Sequence, residues 1–137
     1  MNSLIKRLKT NEGYREKVYK CSEGFDTIGY GSAIKDMKMS EEIATMLLEE
    51  RVAEIFGELE RRADWVQSQP TEVQGVIIEM CYQIGISGFL RFRKTISLFK
   101  QRDFVGASVE MLDSLWAKQT PNRARRLSEL VANEIGQ

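Results

Sequence analysis

The sequence contains no histidine, and it has only two cysteines and two prolines among its 137 residues. The absence of histidine excludes histidine-based acid–base catalysis and Ser–His triads, and it removes the commonest protein metal ligand. Proton transfer must therefore rely on carboxylates, Cys, Tyr or Lys. Cys21 and Cys81 can form at most one bridge, and two thiols without histidine make a poor zinc site. We expect two reduced thiols, no disulfide between them and no metal.

The chain also lacks an excess of charge and a long hydrophobic run. Twenty basic residues balance 20 acidic ones, which argues against a dedicated nucleic-acid binder. Basic residues nevertheless predominate in 1–20 and 91–126, and acidic ones in 35–64. These segments are either solvated helix faces or, for the basic ones, flanks of a site for a polyanion.

No apolar run approaches the ~18–20 residues of a membrane span. The amino-terminal MNSLIKRLK lacks the apolar region of a secretory signal peptide. We therefore expect synthesis in the cytoplasm, no stable membrane association and, for action outside the cell, a separate route of release.

Apolar residues recur at helical spacing along most of the chain. Ser40 is a suitable N-cap, and Thr71 with Gln74 forms a capping-box pattern. Cys81 lies on an apolar helical stripe, which predicts that it belongs to the core. The predicted helices cover about 3–11, about 40–60, 71 to Gly85, near 90–100, near 104–117 and, with Thr120 as N-cap and Pro121 at N1, 120 to about 134.

Residues 17–34 break the helical pattern. They alternate β-branched and aromatic residues with turn formers, including Ser22–Gly24, Gly29 and Gly31. This pattern predicts a small hairpin or a three-stranded meander. One small sheet in a mostly helical chain places the protein in the α+β class.

Three residues that can carry chemistry cluster near this sheet. Glu12 ends the first predicted helix, and Cys21 and Thr27 follow in the hairpin. A strand that leaves the helix end and turns back can bring all three to one wall of a cleft. Arg123, in the first turn of the last helix, could pair with a carboxylate across that cleft. By spacing alone the arrangement is only suggestive.

The run RLKTNEGYREKVYKCSEGFDTIGYG resembles the catalytic segment of the phage-type lysozymes, or endolysins. Their signature is Glu, eight residues, Asp or Cys, five residues and Thr, followed by IGYG or similar, and Glu12, Cys21 and Thr27 match it in register. The stretches MCYQIG at 80–85 and WAKQTPNRARR at 116–126 resemble two further family segments. The three blocks occur in the family's order and together span nearly the whole chain.

This resemblance implies a lysozyme-like α+β fold in a single domain, 1–137. A small lobe of about 12–60 would hold the hairpin, and a long helix would connect it to a helical lobe. That helical lobe would comprise about 61–137 plus the N-terminal helix. The implied activity is lysis of bacteria by hydrolysis of the β-1,4 bond between N-acetylmuramic acid and N-acetylglucosamine in peptidoglycan. The resemblance implies no cofactor, a peptidoglycan partner and a monomer.

The resemblance also implies roles for individual residues. Glu12 would be the general acid, and Cys21 would place or activate the attacking water, which Thr27 would hold. This arrangement fits an inverting course. The supporting residues would be Gln83 and Arg123, which would orient Glu12, and the substrate contacts would be Tyr82 and Thr95.

The sequence departs from the family pattern at three places. Cys21 stands where many members have Asp, Ser32 stands where most have His, and the segment from Ala33 to Ser40 is short. These departures leave open a catalytically weak or inactive peptidoglycan-binding module with the same fold. A small nucleic-acid binder using the basic runs at 91–94 and 123–126 is a further alternative, which the zero net charge disfavours.

Overall fold

A computed structural model describes residues 1–134 as two compact units, Met1–Ala44 and a second that starts at Thr45. The N-terminal helix groups with the sheet in the first unit, whereas the resemblance assigned it to the helical lobe. Two contacts join this helix to the turn at residues 30–31: Glu12 packs against Gly31, and Lys9 lies over the Tyr30 ring. The single-domain organisation, 1–137, stays a prediction.

The first unit consists of one helix and a small antiparallel sheet, as the sequence predicts. The sheet has the order β1-β2-β3, with Tyr19 opposite Thr27 and Thr27 opposite Ala33. The predicted meander is therefore confirmed, although its first strand begins two residues earlier than expected. The elements are α1 (Asn2–Glu12), β1 (Arg15–Lys20), β2 (Asp26–Gly29), β3 (Ser32–Ala33) and a short 3₁₀ turn (Ile34–Asp36).

Helix α1 ends at Glu12 because Gly13 leaves the helical conformation. Gly13 has φ 72°, which favours glycine, and its N–H still donates to the Lys9 carbonyl. The predicted position of Glu12 at the helix end is confirmed.

The first unit has little buried surface. Thr27 alone is buried among Met1–Ala44, all of which the structure describes. Contacts at the surface add to the strand hydrogen bonds: Lys20 pairs with Asp26 at 2.7 Å, and the Tyr14 and Tyr30 rings lie 5.6 Å apart. An exposed ion pair contributes at most about 1 kcal/mol to stability. Such contacts do not replace the packed core that this unit lacks.

From residue 41 to residue 134 the chain is mostly helical. Ser40 caps α2 as expected, because its Oγ accepts from the Ile43 N–H at 3.2 Å. The helices are α2 (Glu41–Arg62), α3 (Thr71–Leu90), α4 (Arg93–Lys100), α5 (Phe104–Leu112), α6 (Leu115–Gln119) and α7 (Pro121–Ala132), with a 3₁₀ segment at Asp64–Ser68.

The predicted capping box of α3 is wrong. Pro70 occupies the N-cap position, so Thr71 is already the first helical residue. The Gln74 side chain turns back and donates to the carbonyls of Gln67 and Gln69. It therefore stabilises the preceding segment rather than the first turn of the helix.

Two other helix limits differ from the expectation. Gly85 does leave the helical conformation, with φ 81° and ψ 158°, but the chain resumes a helix and continues to Leu90. The helix expected near 104–117 is two helices, because Asp113 leaves the helical conformation, with φ −94° and ψ 61°. Ser114 is extended, and its Oγ caps α6 by accepting from the Ala117 N–H.

Thr120 and Pro121 start α7 as predicted, at the N-cap and N1 positions. The Thr120 hydroxyl donates to the Trp116 carbonyl rather than accepting from the new helix. The position of the helix start is confirmed, although the Thr120 side chain makes no capping hydrogen bond.

The core lies in the second unit around α3. The Trp65 ring stacks between Phe89 and Phe99, at 6.5 and 6.3 Å. Cys81 is fully buried, which confirms the sequence prediction, and burial raises the pKa of its thiol to about 12. By length and composition alone, α3 would suffice for a membrane span. In this structure it supplies more buried residues than any other described helix, and Gly85 interrupts it with a kink.

Candidate functional site

The carboxylate of Glu12 lies against the turn between β2 and β3. A methyl carbon built on Gly31 would be 2.9 Å from Glu12 Oε2 and 3.6 Å from its Cδ. Gly31 has φ 81°, a conformation that side chains rarely adopt. The Glu12 side chain therefore lies in space that is open only because residue 31 has no side chain.

Cys21 lies directly after β1, at the first position of a tight turn. The Gly24 N–H donates to the Cys21 carbonyl at 2.9 Å, and the Cys21 N–H donates to the Phe25 carbonyl at 3.0 Å. The thiol is partly exposed. The turn at Ser22–Gly24, which the sequence predicts, therefore leaves the Cys21 thiol partly exposed.

The turn also changes the acidity of the thiol. The backbone N–H groups of Phe25 and then Glu23 hold the pKa of Cys21 below its usual value, because they donate to the thiolate. The Thr27 hydroxyl acts in the same direction, whereas partial burial and the Glu23 carboxylate oppose it. Cys21 therefore has more thiolate character than an ordinary cysteine at the same pH.

Thr27 lies in the central strand β2 and exposes only 3% of its surface. Its Oγ1 donates to the Phe25 carbonyl at 2.9 Å. A hydroxyl carries one proton and two acceptor lone pairs. That proton can point to the Phe25 carbonyl or to the Cys21 thiolate, whose pKa it lowers, and in either orientation Thr27 can still accept a hydrogen bond from a water molecule.

Glu12, Cys21 and Thr27 all belong to the first compact unit, as the spacing predicts. The register between β1 and β2 contains a bulge: four steps from Arg15 to Tyr19 face two steps from Gly29 to Thr27. A bulge bends its strand. The strand that links Glu12 to Cys21 is therefore not straight.

In the second unit, Arg123 pairs with a carboxylate that the sequence interpretation missed. Arg123 Nε donates to Glu79 Oε2 at 2.8 Å. Gln83 lies one turn after Glu79 on α3, and its Oε1 accepts from Trp116 Nε1 at 2.9 Å. The helical spacing of Glu79 and Gln83 was the available signal. A role for Gln83 and Arg123 in orienting Glu12 stays a prediction.

The two expected substrate contacts differ in exposure. Tyr82 is 47% exposed and can reach a ligand directly. Thr95 is only 2% exposed, and it lines a groove of about 460 Å³ together with Phe92, Trp116 and other residues. Both assignments remain predictions.

Within residues 1–134, no group of three or more His, Cys, Asp or Glu side chains is placed to hold a metal ion. Ser32 lies in β3 opposite Ile28 and is exposed. The site that the chain offers consists of a carboxylate, a thiol of lowered pKa and a hydroxyl.

Comparison with known families agrees with this fold. A family model described as Phage lysozyme matches residues 9–133. The chain therefore belongs to the phage lysozyme family, and the resemblance noted in the sequence is confirmed.

The individual relatives are identical to this chain at only about a quarter of the aligned positions. The chain is 27% identical to the probable T4-type lysozyme 1 of Dictyostelium discoideum, over 96% of this chain and 94% of that protein. It is 24% identical to the probable T4-type lysozyme 2 of the same organism, over 93% and 92%. It is also 27% identical to the pre-baseplate central spike protein Gp5 of Enterobacteria phage T4, over 94% of this chain but 27% of that protein.

Proposed function

We propose that this protein is a muramidase, which hydrolyses the β-1,4 bond between N-acetylmuramic acid and N-acetylglucosamine in peptidoglycan and so lyses bacteria. The observation that carries the proposal is the joint placement of Glu12, Cys21 and Thr27 in one small sheet unit of a phage lysozyme family member. Two lysozymes among its relatives match it over nearly their full length, which supports the same reaction class.

In the proposed mechanism, Glu12 is the general acid. Its proton passes to the glycosidic oxygen as the bond from that oxygen to the anomeric carbon breaks. A water molecule attacks the anomeric carbon from the opposite face, so the configuration inverts. The carboxylate left on Glu12 is reprotonated from solvent before the next turnover.

Cys21 and Thr27 act on the water in this proposal. Thr27 accepts a hydrogen bond from it, and the Cys21 thiolate accepts the proton that the water loses as it attacks. The thiol then releases this proton to solvent, which restores the thiolate for the next turnover. The lowered pKa of Cys21 supports this role, because a thiolate can accept a proton and a thiol cannot. Cys21→Asp should retain substantial activity and extend it to lower pH, since a carboxylate ionises near pKa 3.9 and an ordinary thiol near 8.5.

The direct test is clearing of a peptidoglycan suspension by the wild type and by Glu12→Gln. An amide cannot donate the required proton, so we expect Glu12→Gln to be folded and inactive. Glu16→Gln is the matched control, because it makes the same chemical change on an exposed carboxylate of β1. Substantial clearing by folded Glu12→Gln would contradict the assignment.

The competing function is a peptidoglycan-binding module without turnover, which the exposed Ser32 and a thiol in place of a carboxylate favour. Sedimentation with insoluble peptidoglycan separates the two. The muramidase proposal predicts binding together with clearing, whereas a binding module would co-sediment with peptidoglycan and leave its turbidity unchanged.

A further inference from the structure

We propose that Gly31 is a positioning residue for Glu12: the absence of a side chain at Gly31 sets where the Glu12 carboxylate lies. This inference rests on the proposed role of Glu12 as general acid. The observation is the approach described above, in which a carbon built at Gly31 would lie 2.9 Å from Oε2, 3.6 Å from Cδ and 3.8 Å from Cβ of Glu12. The glutamate side chain therefore lies along the space that a side chain at Gly31 would occupy.

The contact is specific among the glycines of this unit. Gly13, Gly24, Gly29 and Gly31 all have positive φ, between 71° and 84°. A carbon built on any of the first three meets nothing within 4 Å. Positive φ alone explains glycine at those positions, whereas Gly31 combines positive φ with close approach to a single side chain.

The atom nearest to a carbon at Gly31 is Glu12 Oε2, at the end of a flexible side chain. A substitution at Gly31 can therefore lower activity without lowering the stability of the fold further. A methyl group at Gly31 would displace Oε2 by about half an ångström to reach ordinary contact distance. Such a movement costs the fold little, because the exposed glutamate can rotate toward solvent. Catalytic groups, however, must be held within about 0.5 Å of their productive geometry.

The consequence for Gly31→Ala is a loss of turnover without an additional loss of stability. A misplacement of about 1 Å can cost about 10²-fold in rate, so we expect kcat to fall about 10- to 100-fold. KM should change little, because Gly31 is assigned no contact with the glycan. Gly31→Ser should behave in the same way, because its Cβ occupies the same place.

Gly29→Ala is the matched control. Gly29 has φ 71°, so alanine there suffers comparable backbone strain in the same unit, but its methyl group meets nothing within 4 Å. We expect Gly29→Ala to lower the melting temperature about as much as Gly31→Ala and to keep kcat within about two-fold of the wild type. The difference between the two variants isolates the contact with Glu12.

A readout independent of turnover is the side-chain carboxyl carbon resonance of Glu12, measured by NMR at fixed pH and assigned with Glu12→Gln. It should shift in Gly31→Ala and stay in place in Gly29→Ala, because only the first substitution moves the carboxylate.

The experiment combines kcat, melting temperature and this resonance for the wild type, Gly31→Ala, Gly29→Ala and Glu12→Gln. A selective loss of kcat together with a selective resonance shift in Gly31→Ala supports the inference. Equal kcat in the two alanine variants, or an unmoved resonance, overturns it. Activity in folded Glu12→Gln overturns the proposed function itself and removes the basis of the inference. Failure of the inference alone would leave Glu12→Gln inactive and the two alanine variants equal in kcat.

Discussion

At the scale of single residues, Cys21 shows how a backbone turn can activate a side chain. Two N–H groups of its own turn lower the pKa of the thiol, and the neighbouring Thr27 hydroxyl acts in the same direction. Each of these groups is contributed by a residue within six positions of Cys21. The activation is therefore local to the segment from β1 to β2.

This description predicts opposite effects for two substitutions. Thr27→Val removes a donor and should raise the pKa of Cys21, whereas Glu23→Gln removes a repelling charge and should lower it further. The measurement is the pH dependence of iodoacetamide alkylation at Cys21, followed by mass spectrometry, because the thiolate is the reacting form. Buried Cys81 should stay unmodified in the folded protein and serves as the internal reference. Unchanged profiles in both variants would contradict the account.

At the scale of elements, α3 is the helix around which the second unit is built. Its inner face contributes Val73, Val76, Ile77, Met80 and Cys81 to the core, while Glu79 and Gln83 hold Arg123 and Trp116. Gly85 interrupts it with φ 81° and ψ 158°, a region of backbone conformation that is essentially restricted to glycine.

Two glycines of α3 should respond to alanine in opposite directions. Gly75 is helical and exposed, so Gly75→Ala should stabilise the protein by about 0.4–1 kcal/mol. Gly85→Ala should destabilise it by about 1–3 kcal/mol, the usual cost of a side chain in that backbone region. Steric clashes should not contribute to either change in stability, since a carbon built at either position meets nothing within 4 Å. Urea denaturation measures both values, and changes of the same sign would contradict the kink at Gly85.

The sequence predicted these elements better than it predicted their ends. Hydrophobic periodicity located most of the helices but merged α5 and α6 into one, and the glycines at 24, 29 and 31 marked the turns of the sheet. The capping box at Thr71 failed because Gln74 found closer backbone carbonyls in the preceding segment. The break at Asp113 was missed because apolar periodicity continues across it, whereas the cap at Ser114 depends on local geometry.

At the scale of the whole molecule, burial is distributed unequally between the two compact units. The core residues belong to the second unit, whereas Thr27 is the buried residue of the first. The candidate catalytic residues all lie in the unit with little burial. A site on such a unit depends on local contacts, such as those of Gly31 and the Cys21 turn, for its geometry.

Hydrogen exchange should report this difference. Segments with few buried contacts open at lower free energy than packed cores. Backbone amides of β1 and β2 should therefore exchange faster than those of α3 and α5 in the native full-length chain, measured by exchange with mass spectrometric or NMR detection. Equal protection of the sheet and the core helices would contradict the inequality of burial.

The candidate site was predictable from sequence to the extent that its residues are close along the chain. Glu12, Cys21 and Thr27 span 16 positions and lie in one unit, so spacing and family resemblance were sufficient to group them. The partner of Arg123 was not predictable, because Glu79 lies 44 positions away in the sequence. Many other carboxylates are equally plausible partners at such a separation. The approach of Gly31 to Glu12 likewise depends on tertiary packing, which the turn signal alone does not encode.

The central claim, muramidase action through Glu12, is tested most directly by the new reducing ends that form in purified peptidoglycan. Borohydride reduction after digestion and acid hydrolysis should yield muramitol with the wild type and Glu16→Gln, and none above background with folded Glu12→Gln. Formation of glucosaminitol instead, absence of new reducing ends with the wild type, or equal muramitol from Glu12→Gln would contradict the account.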